Sequence, residues 1–231
     1  MKNLRPIYQY FFIKCIVAAL MLLCIFSVEM VTAKSGLSTN VIASIPTLID
    51  KTTKTKTIVQ VHIPKQFWRL RASQKGYIPG MLRFLTEDYP QHLKSYESGI
   101  TEENLLPQII RIQKIRSKKI NSEQVMNKIK TKIDKGLFMP PLYVEENRQA
   151  RDHYTMHSLG IIVGYSGRSS VDVIYLQYFS GNKGLCGIQV AKTLPPTASG
   201  NPVSIENAKT QLNALKTFTQ QITSVVSNEH H

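Results

Sequence analysis

Cys186, His153 and His157 are the residues whose types could carry out covalent chemistry. A cysteine attacks as its thiolate, and a neighbouring imidazole lowers the thiol pKa enough to form one. His153 and His157 are four residues apart, which places them on one face of either a helix or a strand. This set predicts a candidate cysteine–histidine pair. The favoured interpretation of Cys186 is instead a small side chain buried in the core.

The residues around Cys186 slightly resemble the cysteine motif of the L,D-transpeptidases. Ser180-Gly181 and Gly184–Gly187 give the Ser/Gly-rich surroundings, and His157 lies upstream. The resemblance implies action on peptidoglycan. It covers fewer than ten residues, and the arginine that closely follows the cysteine in that family is replaced here by Gly187-Ile188-Gln189. No family is identified from it.

Metal and cofactor chemistry has little support in the sequence. His62, Glu146 and Asp152 could add donors to the His153 and His157 pair, but the spacing matches no known zinc motif. A glycine-rich phosphate loop, a nucleophile elbow and a zinc-protease motif are all absent from the sequence. We therefore expect no metal and no cofactor.

Positive charge is concentrated in one part of the chain. The 231 residues carry 29 Lys and Arg against 15 Asp and Glu, a formal net charge of +14. Between Arg111 and Lys135 there are nine basic residues against two acidic ones. On helical spacing, the candidate binding residues form two groups, Arg111, Lys114 and Lys118, then Lys128, Lys132 and Lys135.

Such a local positive field predicts an anionic partner. The candidates are anionic lipid, lipopolysaccharide and an acidic protein. The alternative is a solvated surface that keeps the protein in solution. Nucleic acid is not expected as a partner, because the chain carries an export signal and no recognised nucleic-acid-binding motif.

The N-terminal residues predict export. Met1–Lys14 holds basic residues and no acidic ones, Cys15–Val28 is uninterrupted apolar sequence, and small residues lead to Ala33. This order predicts a signal peptide over residues 1–33 and a periplasmic or secreted protein. Once the signal is removed Cys186 is the only cysteine, which favours a bacterial envelope. The alternative is an uncleaved inner-membrane anchor in a subunit of an envelope protein complex.

Short β-branched and aromatic runs predict the sheet that must position these residues. Three runs separated by Gly/Ser/Asn clusters, Tyr154–Tyr165, Val171–Phe179 and Leu185–Lys192, predict an antiparallel meander. Alternation over Thr57–Ile63 predicts a fourth strand. The preceding residues, 34–56, are rich in Ser, Thr and Lys and predict a flexible leader.

Apolar residues at helical spacing predict four helices. A short helix is expected over Met81–Asp88, and a basic helical pair before the meander. The first helix of the pair follows Thr101, and the second runs from Ser122 to Gly136. A long C-terminal helix begins after Ser204 and carries its apolar stripe to Val225.

These patterns predict a single α+β domain over residues 57–228. Its antiparallel sheet of three or four strands is packed by the long C-terminal helix, with the basic helical pair before the meander. The favoured function is a non-enzymatic exported protein whose basic helical surface binds an anionic envelope component or an acidic partner. The alternatives are a cell-wall or peptide-acting enzyme that uses Cys186 with a histidine, and a signal-anchored subunit of an envelope assembly.

Overall fold

The computed structural model describes eleven ranges of the chain, all within one compact unit, Thr39–His231. These are residues 39–44, 48–49, 55–70, 80–86, 93–98, 106–115, 120–136, 140–151, 153–165, 168–181 and 184–229. The predicted signal peptide, 1–33, lies outside the described residues.

The described residues form eleven strands and three helices. The strands are β1 (Thr39–Ser44), β2 (Leu48–Ile49), β3 (Thr55–Pro64), β4 (Phe67–Arg69), β5 (Leu93–Ser98), β6 (Ile109–Ile115), β7 (Tyr143–Arg151), β8 (Tyr154–Tyr165), β9 (Arg168–Ser180), β10 (Leu185–Leu194) and β11 (Thr223–Glu229). The helices are α1 (Gly80–Thr86), α2 (Ser122–Gly136) and α3 (Ile205–Ile222).

Seven of the strands form one antiparallel sheet in the order β4-β5-β6-β10-β9-β8-β7. Connections of two to four residues join β7, β8, β9 and β10, as antiparallel neighbours allow. The connection from β6 to β7 carries α2 and crosses from the middle of the sheet to its edge. The meander then returns strand by strand until β10 pairs with β6.

Both faces of this sheet are covered by helices. On the front face, α1 and α2 pack against the sheet, where Met126 and Ile129 join Leu159, Ile174 and Leu176 in one buried cluster. On the back face, α3 contacts β8, β9 and β10 and buries Leu212, Leu215 and Phe218, among others. The central strands are therefore buried on both sides, and apolar residues occupy both faces of β8 to β10.

A second, smaller antiparallel sheet is built around β3. This strand pairs with β11 on one side and with β1 and β2 on the other. Val59, Val61 and Ile63 alternate along β3 and are buried, and α3 contacts this strand as well as the larger sheet. The helix α3 therefore belongs to the cores of both sheets.

The structure confirms the α+β class, the antiparallel meander, the C-terminal helix and the helix Ser122–Gly136. The sheet is larger than predicted, with seven strands. The first helix of the predicted basic pair is wrong, because Ile109–Ile115 is the strand β6. Since β6 is buried on both faces, apolar residues occupy adjacent positions, and part of that run matches a helical stripe.

Two further stretches differ from their predictions. The strands β1 and β2 lie inside residues 34–56, where a flexible leader was expected, and both pair with β3. Their backbone groups satisfy an edge of β3 that would otherwise be unpaired. The C-terminal helix ends at Ile222, and Val225 lies in β11, paired with Val59.

Candidate functional site

The six basic residues predicted to bind an anion are not on one surface. Arg111 and Lys114 lie on the strand β6, where Arg111 points to the front face and is 5% exposed. Burial lowers the pKa of the Arg111 guanidinium to about 10. Lys114 lies on the opposite face and is partly buried. Lys118 is outside the described residues.

The helix α2 carries the other three. Lys128 and Lys135 are exposed to solvent. Lys132 instead helps to hold α2 against α1, because its Nζ donates a hydrogen bond to the Phe84 carbonyl oxygen at 2.8 Å and lies 5.2 Å from the Phe84 ring centroid. The exposed lysines of α2 are therefore Lys128 and Lys135, and their role in binding stays a prediction.

The structure does not bring Cys186 together with His157. In the register of the sheet Cys186 is opposite Phe179, and Phe179 is opposite Met156, so these three side chains share the back face. His157 is the next residue after Met156 and therefore points to the front face. Cys186 is completely buried, and that burial raises the pKa of its thiol. Cys186 and His157 therefore lie on opposite faces of the sheet, and the buried thiol does not readily form a thiolate. This arrangement argues against a nucleophile–base pair.

His157 lines a cavity of about 350 Å³ at the end of the sheet where α2 begins. The walls come from the start of α2, the β7–β8 hairpin and the end of β9. Polar and charged side chains dominate the lining: Asn121, Ser122, Glu123, Arg148, Arg151, His153, Tyr154, Thr155, His157 and Ser180, together with Gly181. This volume is at the lower end of the range typical of small-molecule sites, about 300–1,000 Å³.

Three buried side chains form a hydrogen-bonded chain in the wall of the cavity. The Ser122 hydroxyl oxygen is 2.8 Å from His157 Nδ1 and 2.7 Å from the Ser180 hydroxyl oxygen. All three residues are buried. His157 Nε2 has no hydrogen-bond partner in the part of the chain that the structure describes. These hydrogen bonds use Nδ1 of the buried His157, so its Nε2 is available to a molecule in the cavity.

The first turn of α2 is fixed by a reciprocal cap. Asn121 Oδ1 accepts a hydrogen bond from the Gln124 N–H at 2.9 Å, and Gln124 Oε1 accepts one from the Asn121 N–H at 3.0 Å. The N–H groups of Ser122 and Glu123 have no acceptor among the described residues. The helix therefore presents its positive N-terminal end to the cavity.

Two arginines and one glutamate set the fixed charge of the described lining. Arg148 lies opposite His157 on the neighbouring strand β7, and its Nη2 is 3.9 Å from Glu123 Oε2. Both of these side chains are more than half exposed, so this ion pair is weak. Arg151 also lines the cavity. His153 Nδ1 is buried and has no hydrogen-bond partner within the described ranges.

The imidazole of His157 is neutral at neutral pH. Its burial lowers the pKa below the ordinary value of 6.5, and the positive charge of Arg148 lowers it further, while Glu123 and Glu146 act in the opposite direction. A neutral imidazole carries one hydrogen, on Nδ1 or on Nε2, and the bond to Ser122 can be made in either state.

In chemical terms the cavity is a concave site rich in hydrogen-bond donors. Guanidinium groups, hydroxyls, imidazoles and helix N–H groups together suit an anion with several oxygen atoms. Among the described residues there is no group of three or more His, Cys, Asp or Glu side chains that could hold a metal ion. Ser122 is hydrogen-bonded to a neutral histidine, but no carboxylate of the described residues is hydrogen-bonded to the other nitrogen of that histidine.

Sequence reasoning found part of this site and missed the rest. It singled out His153 and His157 by their spacing, and both line the cavity. It took Ser122 only as the start of a helix and did not single out Arg148. The available signal was the start of the predicted helix Ser122–Gly136, because the N–H groups of a helix N-terminus can bind an anion once suitable neighbours are known.

Comparisons with known proteins give limited information about this chain. No protein-family model and no curated protein matches the sequence. Three solved structures share 10–11% sequence identity with it: a single-residue mutant of Mog1, the Ran-binding protein Mog1p of Saccharomyces cerevisiae, and LpqN, involved in cell envelope biogenesis of Mycobacterium tuberculosis.

The three similarities are long but distant. The match to the Mog1 mutant covers 79% of this chain and 91% of the other, with a TM-score of 0.38. The match to LpqN covers 81% and 92%, with a TM-score of 0.40. The match to Mog1p covers 80% and 93%, with a TM-score of 0.37.

In the ranges that the structure describes, no helix is long and apolar enough to cross a membrane.

Proposed function

We propose that the protein is an exported, non-enzymatic binding protein that attaches to an anionic component of the cell envelope through α2. The observation that carries this proposal is the exposure of Lys128 and Lys135 on a helix whose opposite face is buried against the sheet. Export rests on the predicted signal peptide over residues 1–33.

Charge distribution supports α2 as the binding element. The helix α2 contains four lysines and two acidic residues, Glu123 and Asp134, so it is basic overall. Lys128 and Lys135 are exposed, and a long lysine stem can lie along a helix while its charged end reaches water. A basic helix of this kind is attracted to surfaces rich in phosphate, such as anionic lipid or lipopolysaccharide.

The experiment measures binding of the exported chain to vesicles of phosphatidylglycerol and phosphatidylcholine by sedimentation, at low and at high salt. We expect binding that weakens as salt increases, because screening shortens the range of the attraction. Replacing both Lys128→Glu and Lys135→Glu should weaken binding by about thirtyfold or more, since each basic residue near an anionic surface contributes about 1 kcal/mol.

The matched control carries Lys65→Glu and Lys94→Glu, which change the net charge equally at two exposed positions outside α2. This control should lose less affinity than the α2 variant. Binding that is absent, or that does not depend on salt, would contradict the proposal. Equal losses in the two double variants would remove α2 as the binding element.

A further inference from the structure

We propose that the cavity at the start of α2 binds a phosphate group, and that Arg148, His157 and the first turn of α2 hold its oxygens. This site is separate from the exposed lysines Lys128 and Lys135 of α2, and neither of them lines the cavity. It adds to the proposed function a defined pocket with its own ligand chemistry.

The first support is two imidazole nitrogens that lack hydrogen-bond partners in the part of the chain that the structure describes. His157 is 3% exposed, and its Nε2 has no partner in the described ranges of the chain. His153 Nδ1 is also buried, and none of the described residues is a hydrogen-bond partner for it. A buried polar atom left unpaired destabilises a protein, so an occupant that reaches His153 Nδ1 would remove that cost.

The second support is the hydrogen-bonded chain behind His157. When Ser180 donates to Ser122 and Ser122 donates to His157 Nδ1, the histidine carries its hydrogen on Nε2. A phosphate oxygen can then accept that hydrogen. Because the reverse arrangement of the same hydrogen bonds leaves Nε2 without a hydrogen, an anion selects the first arrangement from two that already exist.

The third support is charge at the mouth of the cavity. Arg148 and Arg151 contribute two guanidinium groups, and the N–H groups of Ser122 and Glu123 add the positive end of a helix of 15 residues. These donors outnumber what one carboxylate can use, whereas a phosphate offers oxygens in several directions. Glu123 opposes binding, because its carboxylate lies 3.9 Å from Arg148.

Two substitutions change the site in opposite directions. Isothermal titration calorimetry with inorganic phosphate should show saturable binding of one equivalent to the full chain. Arg148→Met removes a charged donor and should weaken binding by about tenfold or more. Glu123→Gln removes the competing carboxylate and should tighten binding. The control is Arg69→Met, an exposed arginine on β4 at the opposite edge of the sheet, which should bind phosphate like the unsubstituted protein.

A titration of His157 followed by NMR gives a readout that a purely structural role would not change. Phosphate should raise the pKa of His157, whose charged neighbours are Arg148 on β7, Glu123 on α2 and Glu146 on β7. Affinity should therefore increase as the pH falls through the His157 titration. An unchanged His157 titration in the presence of phosphate would overturn the proposal.

Two further comparisons identify the ligand and its source. Acetate should bind more weakly than phosphate, and equal affinity for acetate would overturn the assignment to phosphate. Glycerol phosphate and vesicles containing phosphatidic acid present the same group in free and in lipid-bound form. If Arg148→Met weakens binding to both, the group can come from a lipid headgroup. If it weakens only glycerol phosphate binding, the ligand is a soluble phosphate ester.

These outcomes are independent of the α2 surface. The Lys128→Glu and Lys135→Glu variant should keep its affinity for inorganic phosphate, and Arg148→Met should keep its salt-dependent binding to phosphatidylglycerol vesicles. Absence of saturable phosphate binding, or equal weakening by Arg148→Met and Arg69→Met, would overturn the cavity proposal alone.

Discussion

A group of polar side chains is buried on the front face of the seven-stranded sheet. Gln189 Nε2 donates hydrogen bonds to the Tyr178 hydroxyl at 2.8 Å and to Gln113 Oε1 at 3.1 Å. Nearby, Arg111 Nη1 donates to the Thr86 hydroxyl oxygen at 2.7 Å. Buried polar groups are stable only when they are hydrogen-bonded. These contacts therefore favour one alignment of β6, β9 and β10.

Gly187 is needed because Tyr178 lies directly across from it on β9. A Cβ at position 187 would overlap the Tyr178 ring, coming within 2.7 Å of Cδ1, and the ring hydroxyl is already held by Gln189. Gly187→Ala should therefore lower the free energy of unfolding by about 1–3 kcal/mol, as overpacking does. Urea denaturation measures the change. Gly80→Ala is the control, since a Cβ there meets nothing within 4 Å, and equal effects would contradict the explanation.

The thiol of Cys186 should be unreactive in the folded protein. It is completely buried, and burial raises its pKa, so neither access nor a thiolate is available. Treatment with iodoacetamide followed by peptide mass mapping should leave the Cys186 peptide unmodified in native protein and modified in urea. Modification of native protein would restore the cysteine-based enzyme as a candidate.

His157 should make stability depend on pH. Its folded pKa is below its ordinary value of 6.5, so at pH values near and below 6.5 the unfolded chain binds more protons than the folded chain. The free energy of unfolding should therefore fall as the pH falls through this range. The stabilisation that comes from neutral His157 is fully present above it. Urea denaturation at a series of pH values tests this.

The matched variants for that series are His157→Asn and His62→Asn. The first should flatten the dependence on pH, because it removes the buried titrating group. The second removes a histidine of the smaller sheet, whose Nε2 is 3.3 Å from the Ser224 hydroxyl oxygen. A slope unchanged by His157→Asn would show that other groups control acid stability.

Among the elements, those with one apolar stripe or with clear turn residues at their ends were predicted well. The helix Ser122–Gly136 has one apolar stripe and a capping residue, and the structure has the same bounds. The three runs of the meander have clear turn residues between them. By contrast, Arg111 and Gln113 are buried in β6, and polar residues at buried positions hide a strand from pattern reasoning.

Two strands escaped prediction for a different reason. The edge strand β7 reads Tyr-Val-Glu-Glu-Asn-Arg-Gln-Ala-Arg and has almost no apolar alternation, because it is largely exposed. Charged residues are usual on such an edge, since they discourage pairing with another chain. The strand β11 follows α3 without an intervening loop, so its valines were assigned to the end of the helix.

The cap of α2 should contribute measurably to stability. Asn121→Ala removes the acceptor for the Gln124 N–H and should cost about 1 kcal/mol in the free energy of unfolding. Asn121→Asp keeps an acceptor and should cost less than the alanine substitution. Urea denaturation of both variants checks this, and equal losses would mean that the cap does not stabilise α2.

At the scale of the whole molecule, the site depends on contacts that sequence spacing cannot show. Ser122 and His157 are 35 residues apart, and Ser122 and Ser180 are 58 apart. The crossover that carries α2 to the edge of the sheet brings them together. The histidine pair was visible in the sequence, but the partner hydroxyls and Arg148 needed the strand order.

Deletion of residues 223–231 should destabilise the protein strongly. It removes β11 and leaves seven paired positions of β3 without partners on that side. Backbone hydrogen bonds contribute about 0.5–1.5 kcal/mol each, so the loss should be at least about 3 kcal/mol. A chain ending at Glu229 is the control and should keep the stability of the full chain. A cooperative urea transition at an unchanged midpoint in the shorter chain would contradict this role of β11.

The pairing of β3 with β11 also has a consequence for the time at which the protein folds. Contacts such as His62 with Ser224 join residues that are 162 positions apart, and the strands of the larger sheet lie between them in the chain. The smaller sheet cannot close until the last strand has been synthesised. Because such distant contacts also form slowly, the chain should stay incompletely folded while it emerges from the ribosome. Late closure of this kind leaves the chain open for transport before folding, which the export proposed above requires.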